Sequence, residues 1–186
     1  LQQAQKYPEA IQIMESARAK GQLTGEANYV LLASLYYNQA LSVDDPKPMA
    51  NKSVAVIKEG MDKGIMQPSA DNYVLLGKAE YEAGDMTAAK AAFNKALPLA
   101  TNGEAALQLA NMELTDGKYS QAKSMIEQAL SKGVKQKGTA YLVLAECERG
   151  LHNKTARVAA LKQAAQQPES AAHAKELLKQ LGASGK

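Results

Sequence analysis

The sequence predicts an all-α fold of stacked antiparallel helix hairpins, a solenoid, and three observations carry that reading. The first is composition: 34 of 186 residues are Ala and 21 are Leu, whereas Val, Ile and Thr together number 19. Ala and Leu are strong helix formers, and strands favour the β-branched residues that are scarce here. The second is internal repetition, which bears on the whole architecture rather than on one segment. Asn28-Tyr-Val-Leu-Leu32 recurs unchanged as Asn72-Tyr-Val-Leu-Leu76, and Tyr141-Leu-Val-Leu-Ala145 is close to both. Lys6-Tyr-Pro-Glu-Ala10 leads to Lys20-Gly21 just as Lys118-Tyr-Ser-Gln-Ala122 leads to Lys132-Gly133. The third is the period. Gly84 to Gly117 is 33 residues and Gly77 to Ala145 is 68.

The elements follow in order. Residues 4–21 read as a second helix without its first, so the chain opens inside a repeat, at a boundary set by processing or truncation. Residues 26–64 form the first full repeat, with an insertion at 39–50, because Ala33 to Gly60 spans 27 residues where Gly77 to Ala96 spans 19. Ser53 and Gly60 stand there in slots that hold alanine elsewhere. Residues 70–100 are the strongest copy. Tyr73, Leu76, Gly77 and Tyr81 lie on its first helix, Gly84-Asp85 make the turn, and Ala89, Phe93, Ala96 and Leu97 lie on the second. Residues 103–133 repeat the pattern with Leu109, Ala110, the turn Gly117-Lys118, then Ala122, Ile126, Ala129 and Leu130. Residues 137–166 diverge most, with Arg157 in the slot of Ala89 and Ala122. Residues 169–181 place Ala174, Leu177, Leu178 and Leu181 on one face, the stripe of a helix that covers the last hairpin. Pro and Gly punctuate the joints, and no long linker separates two domains, so residues 1–186 read as one solenoid. Alanine gains its reason from this layout: two helices approach closely only where one face is small, and slots such as Ala96 and Ala129 recur in every hairpin.

From Tyr7 to about Ala165 this pattern of small and large slots resembles the tetratricopeptide repeat (TPR) family, although no slot carries Trp and the Pro that often ends the second helix is missing from its place. The resemblance implies a right-handed superhelical solenoid whose concave wall, lined by first helices, holds an extended peptide or a partner helix. Carried over residue by residue, the wall slots hold Ser34, Lys78, Asn111 and Glu146, and one turn later Tyr37, Tyr81, Leu114 and Arg149. Chaperone-binding members grip a C-terminal carboxylate with Lys, Arg and Asn. Here Val30, Val74, Leu107 and Leu142 fill one of those slots, which argues against that activity. A narrower resemblance, in Asn28-Tyr-Val-Leu-Leu-Ala-Ser-Leu-Tyr-Tyr37 and Gln67-Pro-Ser-Ala-Asp-Asn-Tyr73, is to gammaproteobacterial TPR proteins associated with TonB transport systems. It implies a periplasmic location, with the cytoplasm as the alternative.

Other functions find little support. A net charge of +3 argues for neither nucleic acid nor an anionic membrane surface, and no run of about 18 apolar residues exists to span a bilayer. One Cys excludes an internal disulfide, and Cys147 falls in a small apolar core slot. His152 and His173 have no ligand at metal spacing and read as surface residues, so neither a metal nor another cofactor is expected. Gly133–Thr139 lacks the Lys and the preceding strand of a phosphate-binding loop and reads as an inter-repeat connection. Asp44-Asp45-Pro46 reads as a loop ending in a helix cap, and Met14, Met112 and Met125 as gap-filling core residues.

Glu80, Glu113 and Glu148 share one slot in three repeats. The favoured reading is a carboxylate at the edge of the packing stripe, hydrated or paired with Lys. The alternatives are an acidic ladder facing a basic partner, or the acids of an enzyme or its regulatory fragment. The chain is therefore expected to be a non-enzymatic scaffold for a protein or peptide partner. Self-association through the open first helix is left open.

Overall fold

The structure is a computed structural model and describes residues 7–182. Among these residues it is wholly helical, with ten helices and no strand. They fall into two compact units, divided between Leu99 and Ala100. Unit 1 contains α1 (Tyr7–Ala19), α2 (Glu26–Ala40), α3 (Lys47–Asp62), α4 (Ala70–Ala83) and α5 (Met86–Ala96). Unit 2 contains α6 (Glu104–Thr115), α7 (Tyr119–Lys132), α8 (Lys137–Gly150), α9 (Lys154–Ala164) and α10 (Ala171–Gln180). The pairs α2–α3, α4–α5, α6–α7 and α8–α9 pack as hairpins at the predicted repeats. Residues 4–6 of the predicted first helix lie outside the described residues, and the remainder of it is α1.

In unit 1, α3 packs on α4 and α1 on α2. The inserted residues of the first full repeat are shared between a loop and helix. The connection runs from Leu41 to Pro46, and α3 has 16 residues against 11 in α5. Its N-cap is Pro46, one residue past the expected Asp, and Asp45 still accepts the Lys47 N–H at 3.2 Å. The core joins Ile11, Leu23, Tyr29, Leu32, Ile57, Met66 and Leu76. Ser53, in an alanine slot, is fully buried and donates to the Ala33 carbonyl at 2.8 Å, so the hydroxyl is not left orphaned. Phe93, the chain's single Phe, faces Gly77: a Cβ there would come within 2.7 Å of the ring. The bulk lost at one slot is taken up by its neighbour.

In unit 2, α7 packs on α8, and α10 covers α9 as the stripe predicts. Ala145, Ala160, Leu161 and Leu178 form its terminal core, with Leu177 and Leu181 against it. Cys147 is fully buried, and burial pushes its thiol up to about 11. The hairpin turns show how the repeat is closed. Gly84 and Gly117 adopt φ of 88° and 72°, the left-handed region that glycine enters freely, and His152 occupies the same place at φ 58°. The residue after each turn donates its N–H to the carbonyl of Glu80, Glu113 or Glu148.

Candidate functional site

The residues expected from the sequence to line a wall all lie on first helices, four in each unit. In unit 1, α2 and α4 are neighbours and carry Ser34, Tyr37, Lys78 and Tyr81. Tyr81 is 42% exposed, whereas the other three are half-buried. Burial, and then the negative charge of Glu82 on α4, hold the Tyr37 phenol above its usual range, so Tyr37 stays a neutral donor. In unit 2, α6 and α8 are neighbours and carry Asn111, Leu114, Glu146 and Arg149. Arg149 is exposed and donates from Nε to Glu146 at 2.6 Å. Glu146 also meets Arg157 at 3.7 Å, so its charge is shared between two cations.

The repeated glutamates are ion-pair members packed between helices. Glu80 is 4% exposed and lies 2.9 Å from Lys58 of α3, and Glu148 is 3% exposed and lies 2.7 Å from Lys123 of α7. Glu113 meets Lys118 at 3.4 Å. These contacts tie a first helix to a neighbouring helix or turn, and the burial of Glu80 and Glu148 leaves little carboxylate surface for a substrate or a basic partner.

Two polar systems escaped the sequence reading. In unit 1, Arg18 of α1 donates to Glu15 at 2.8 Å and, from Nε, to Glu59 of α3 at 2.9 Å. Tyr36 donates to Glu15 at 2.9 Å, Tyr29 to Glu59 at 3.1 Å, and Lys63 to Glu59 at 2.6 Å. Hydrogen bonds from Arg18 and then Lys63 hold the Glu59 carboxyl down at about 2. The second system is at the loops. Glu26 at the start of α2 accepts the Gln67 N–H at 3.1 Å and the Asn72 side-chain amide, and Glu104 at the start of α6 accepts the Lys135 N–H at 2.8 Å. A glutamate opening a first helix was visible twice in the sequence, but its partner, a loop N–H some 30 to 40 residues on, was not.

No family model matches the chain, and no curated protein matches it. Solved structures do. One titled "Crystal structure of MamA protein" has 19% sequence identity and a TM-score of 0.58, covering 90% of this chain and 94% of that chain. A second, titled "Crystal structure of MamA", has 20% identity and a TM-score of 0.59, covering 87% and 97%. The fold is TPR-like. At this identity the likeness establishes architecture alone, so the function has to be argued from this chain's own surface. Among the described residues, no helix is long and apolar enough to cross a membrane, and no group of His, Cys, Asp and Glu is arranged to hold a metal ion.

Proposed function

We infer that this chain is a non-enzymatic scaffold of the TPR type, binding a peptide or partner protein on its first-helix faces. The wall would present Ser34, Tyr37, Lys78 and Tyr81 in unit 1, and Asn111, Leu114, Glu146 and Arg149 in unit 2. The observation that carries this is Tyr81: a large aromatic ring, 42% exposed, beside Lys78 on a first helix whose neighbour carries Tyr37. Exposed aromatics flanked by a few polar groups are the usual anchors of protein recognition. The burial of Glu80 and Glu148 and their pairing with Lys58 and Lys123 support the scaffold over the enzyme, because those carboxylates take part in packing.

The test is affinity capture of partners with wild type, Tyr81→Ala and Arg149→Glu, each first shown to melt at the wild-type temperature. Loss of a specific partner in Tyr81→Ala is the expected result, and unchanged recovery in both variants overturns the wall assignment. The finer placement, a TonB-linked assembly in the bacterial periplasm, rests on the phrases Asn28–Tyr37 and Gln67–Tyr73 alone. Fractionation of cells expressing the natural gene tests it, and recovery in the cytoplasm removes it.

A further inference from the structure

The net charge of +3 is unevenly held. Unit 1 has ten Lys and Arg against eleven Asp and Glu, for −1, and unit 2 has twelve against eight, for +4. Part of that excess gathers at the α8–α9 turn, around an open cavity of about 290 Å³. Arg149 lies in the last turn of α8, His152 makes the turn, Lys154 and Arg157 lie on the first turn of α9, and Leu181 after α10 gives an apolar wall. Glu148 also lines the cavity: its Oε1 meets Lys123 at 2.7 Å, and its Oε2 is buried without a hydrogen-bond partner.

Arg157 is the residue that calls for a ligand. Its side chain is only 18% exposed, yet among the described residues it donates no hydrogen bond, and its one ion pair, to Glu146, is stretched to 3.7 Å. Its Nε is buried without a partner. The chain's other arginines are engaged: Arg18 bonds Glu15 and Glu59, and Arg149 bonds Glu146. A guanidinium offers five N–H groups in a fixed fork, and withdrawing it from water without acceptors is costly. Packing does not require an arginine, since Ala89 and Ala122 fill the same slot in the sister hairpins and are fully buried. Arg149 uses only Nε on Glu146, so its remaining donors are available as well.

We propose that this cavity is a binding site for an oxyanion, a carboxylate or phosphate group borne by a peptide, held by the Arg157 guanidinium with Arg149 and Lys154 beside it. Such a group supplies the acceptors that Arg157 lacks, in the forked geometry that arginine matches to carboxylate and phosphate. The Asn153-capped start of α9, where Asn153 accepts the Ala156 N–H at 3.1 Å, adds the positive end of a helix dipole. The site shares only Arg149 with the first-helix wall, and its test leaves Arg149 untouched, so either reading can fail without the other.

The experiment is an NMR titration of the full chain with two probes, acetyl-triglutamate amide and inorganic phosphate, following the Arg157 side-chain Nε–H signal and the 152–156 backbone amides. Saturable shifts are expected with at least one probe, and the responding probe identifies the oxyanion. Arg157→Ala, which installs the residue of the sister hairpins, should weaken that binding at least about tenfold. Arg157→Lys should fall between the two, and Lys135→Gln, an equal charge loss in the α7–α8 loop, should change it less than about twofold. No saturable shift with either probe, wild-type binding by Arg157→Ala, or an equal loss in Lys135→Gln overturns the site.

Discussion

The α4–α5 hairpin of unit 1 and the α8–α9 hairpin of unit 2 are one template at a constant offset of 68 residues, filled in two ways. Gly77 and Phe93 in the first correspond to Ala145 and Leu161 in the second, Gly84 to His152, and Ala89 to Arg157. The first hairpin follows the repeat at each of these points: small against large, glycine at the left-handed turn, alanine at the close contact. The second keeps its core, with Leu161 fully buried and Ala145 1% exposed, but departs at the turn and at the start of its second helix. The departures converge on one place, the cavity at the α8–α9 turn. The central slots keep their small-against-large pairing in both hairpins, and the changes fall at the exposed turn and in the buried slot of Ala89. The units also seat their terminal helices differently. Polar residues bond α1 to α2 and α3, whereas α10 rests on leucines.

The largest way to break the comparison is Phe93→Ala, which empties the centre of the first hairpin. It should cost unit 1 about 3–5 kcal/mol, read by chemical denaturation. Exchange within the template is milder. Gly77→Ala alone should cost about 1–3 kcal/mol, because the new methyl meets the Phe93 ring. Gly77→Ala with Phe93→Leu recreates the Ala145–Leu161 pair, and the double variant should be more stable than the sum of the single effects predicts. Strict additivity would show that the two slots are independent.

Acid should separate the seats of α1 and α10. Glu59 is held at about 2 in the folded chain against an ordinary 4.5, so the unfolded chain takes up its proton first. Its contribution is whole above pH 4.5 and is lost as pH falls towards 2. Glu59→Gln should remove about 1–3 kcal/mol at neutral pH and abolish that acid-dependent part, with circular dichroism melts across the range as the readout. A Glu59→Gln variant with an unchanged acid profile would mean the network does not anchor α1.

The smallest effects run in the stabilising direction and belong to the second hairpin. Without added anion, Arg157→Ala should raise stability by about 1 kcal/mol, because a poorly paired buried cation gives way to the template residue. His152→Gly should add about 1 kcal/mol by relieving the left-handed backbone. Melting temperatures check both, and a loss in either would show that the departure is itself a structural gain.

Much of this architecture was legible because it is periodic. Ala89, Ala96, Ala122 and Ala129 were assigned as small slots and are all fully buried, Cys147 was assigned to the core, and the stripe from Ala174 to Leu181 marked the covering helix. Pairing of the repeated glutamates with lysine was one of the two outcomes expected, hydration being the other, but the identity of each lysine was not. Lys58 lies 22 residues before Glu80 and Lys123 lies 25 before Glu148, so no fixed spacing announces the bond. The Arg18–Glu59 network joins residues 41 apart across three helices and left no pattern to find. The boundary between the units, at Leu99 and Ala100, carries no linker composition. Arg157 was visible as a departure from the repeat. Its consequence was not, because a slot says which neighbour a side chain displaces and nothing about which acceptors remain nearby.

By itself, the sequence determined the helices, their hairpin pairing and the slots that set their spacing. Those follow from propensity and from periods of about 3.6 and 34 residues, which the chain carries along its own length. The tertiary structure decided which charges meet, which aromatic fills the space left by Gly77, and which arginine is left without acceptors. Those outcomes depend on how one helix slides and turns against another to within an ångström or so, and that register is set jointly by every slot in the packed unit.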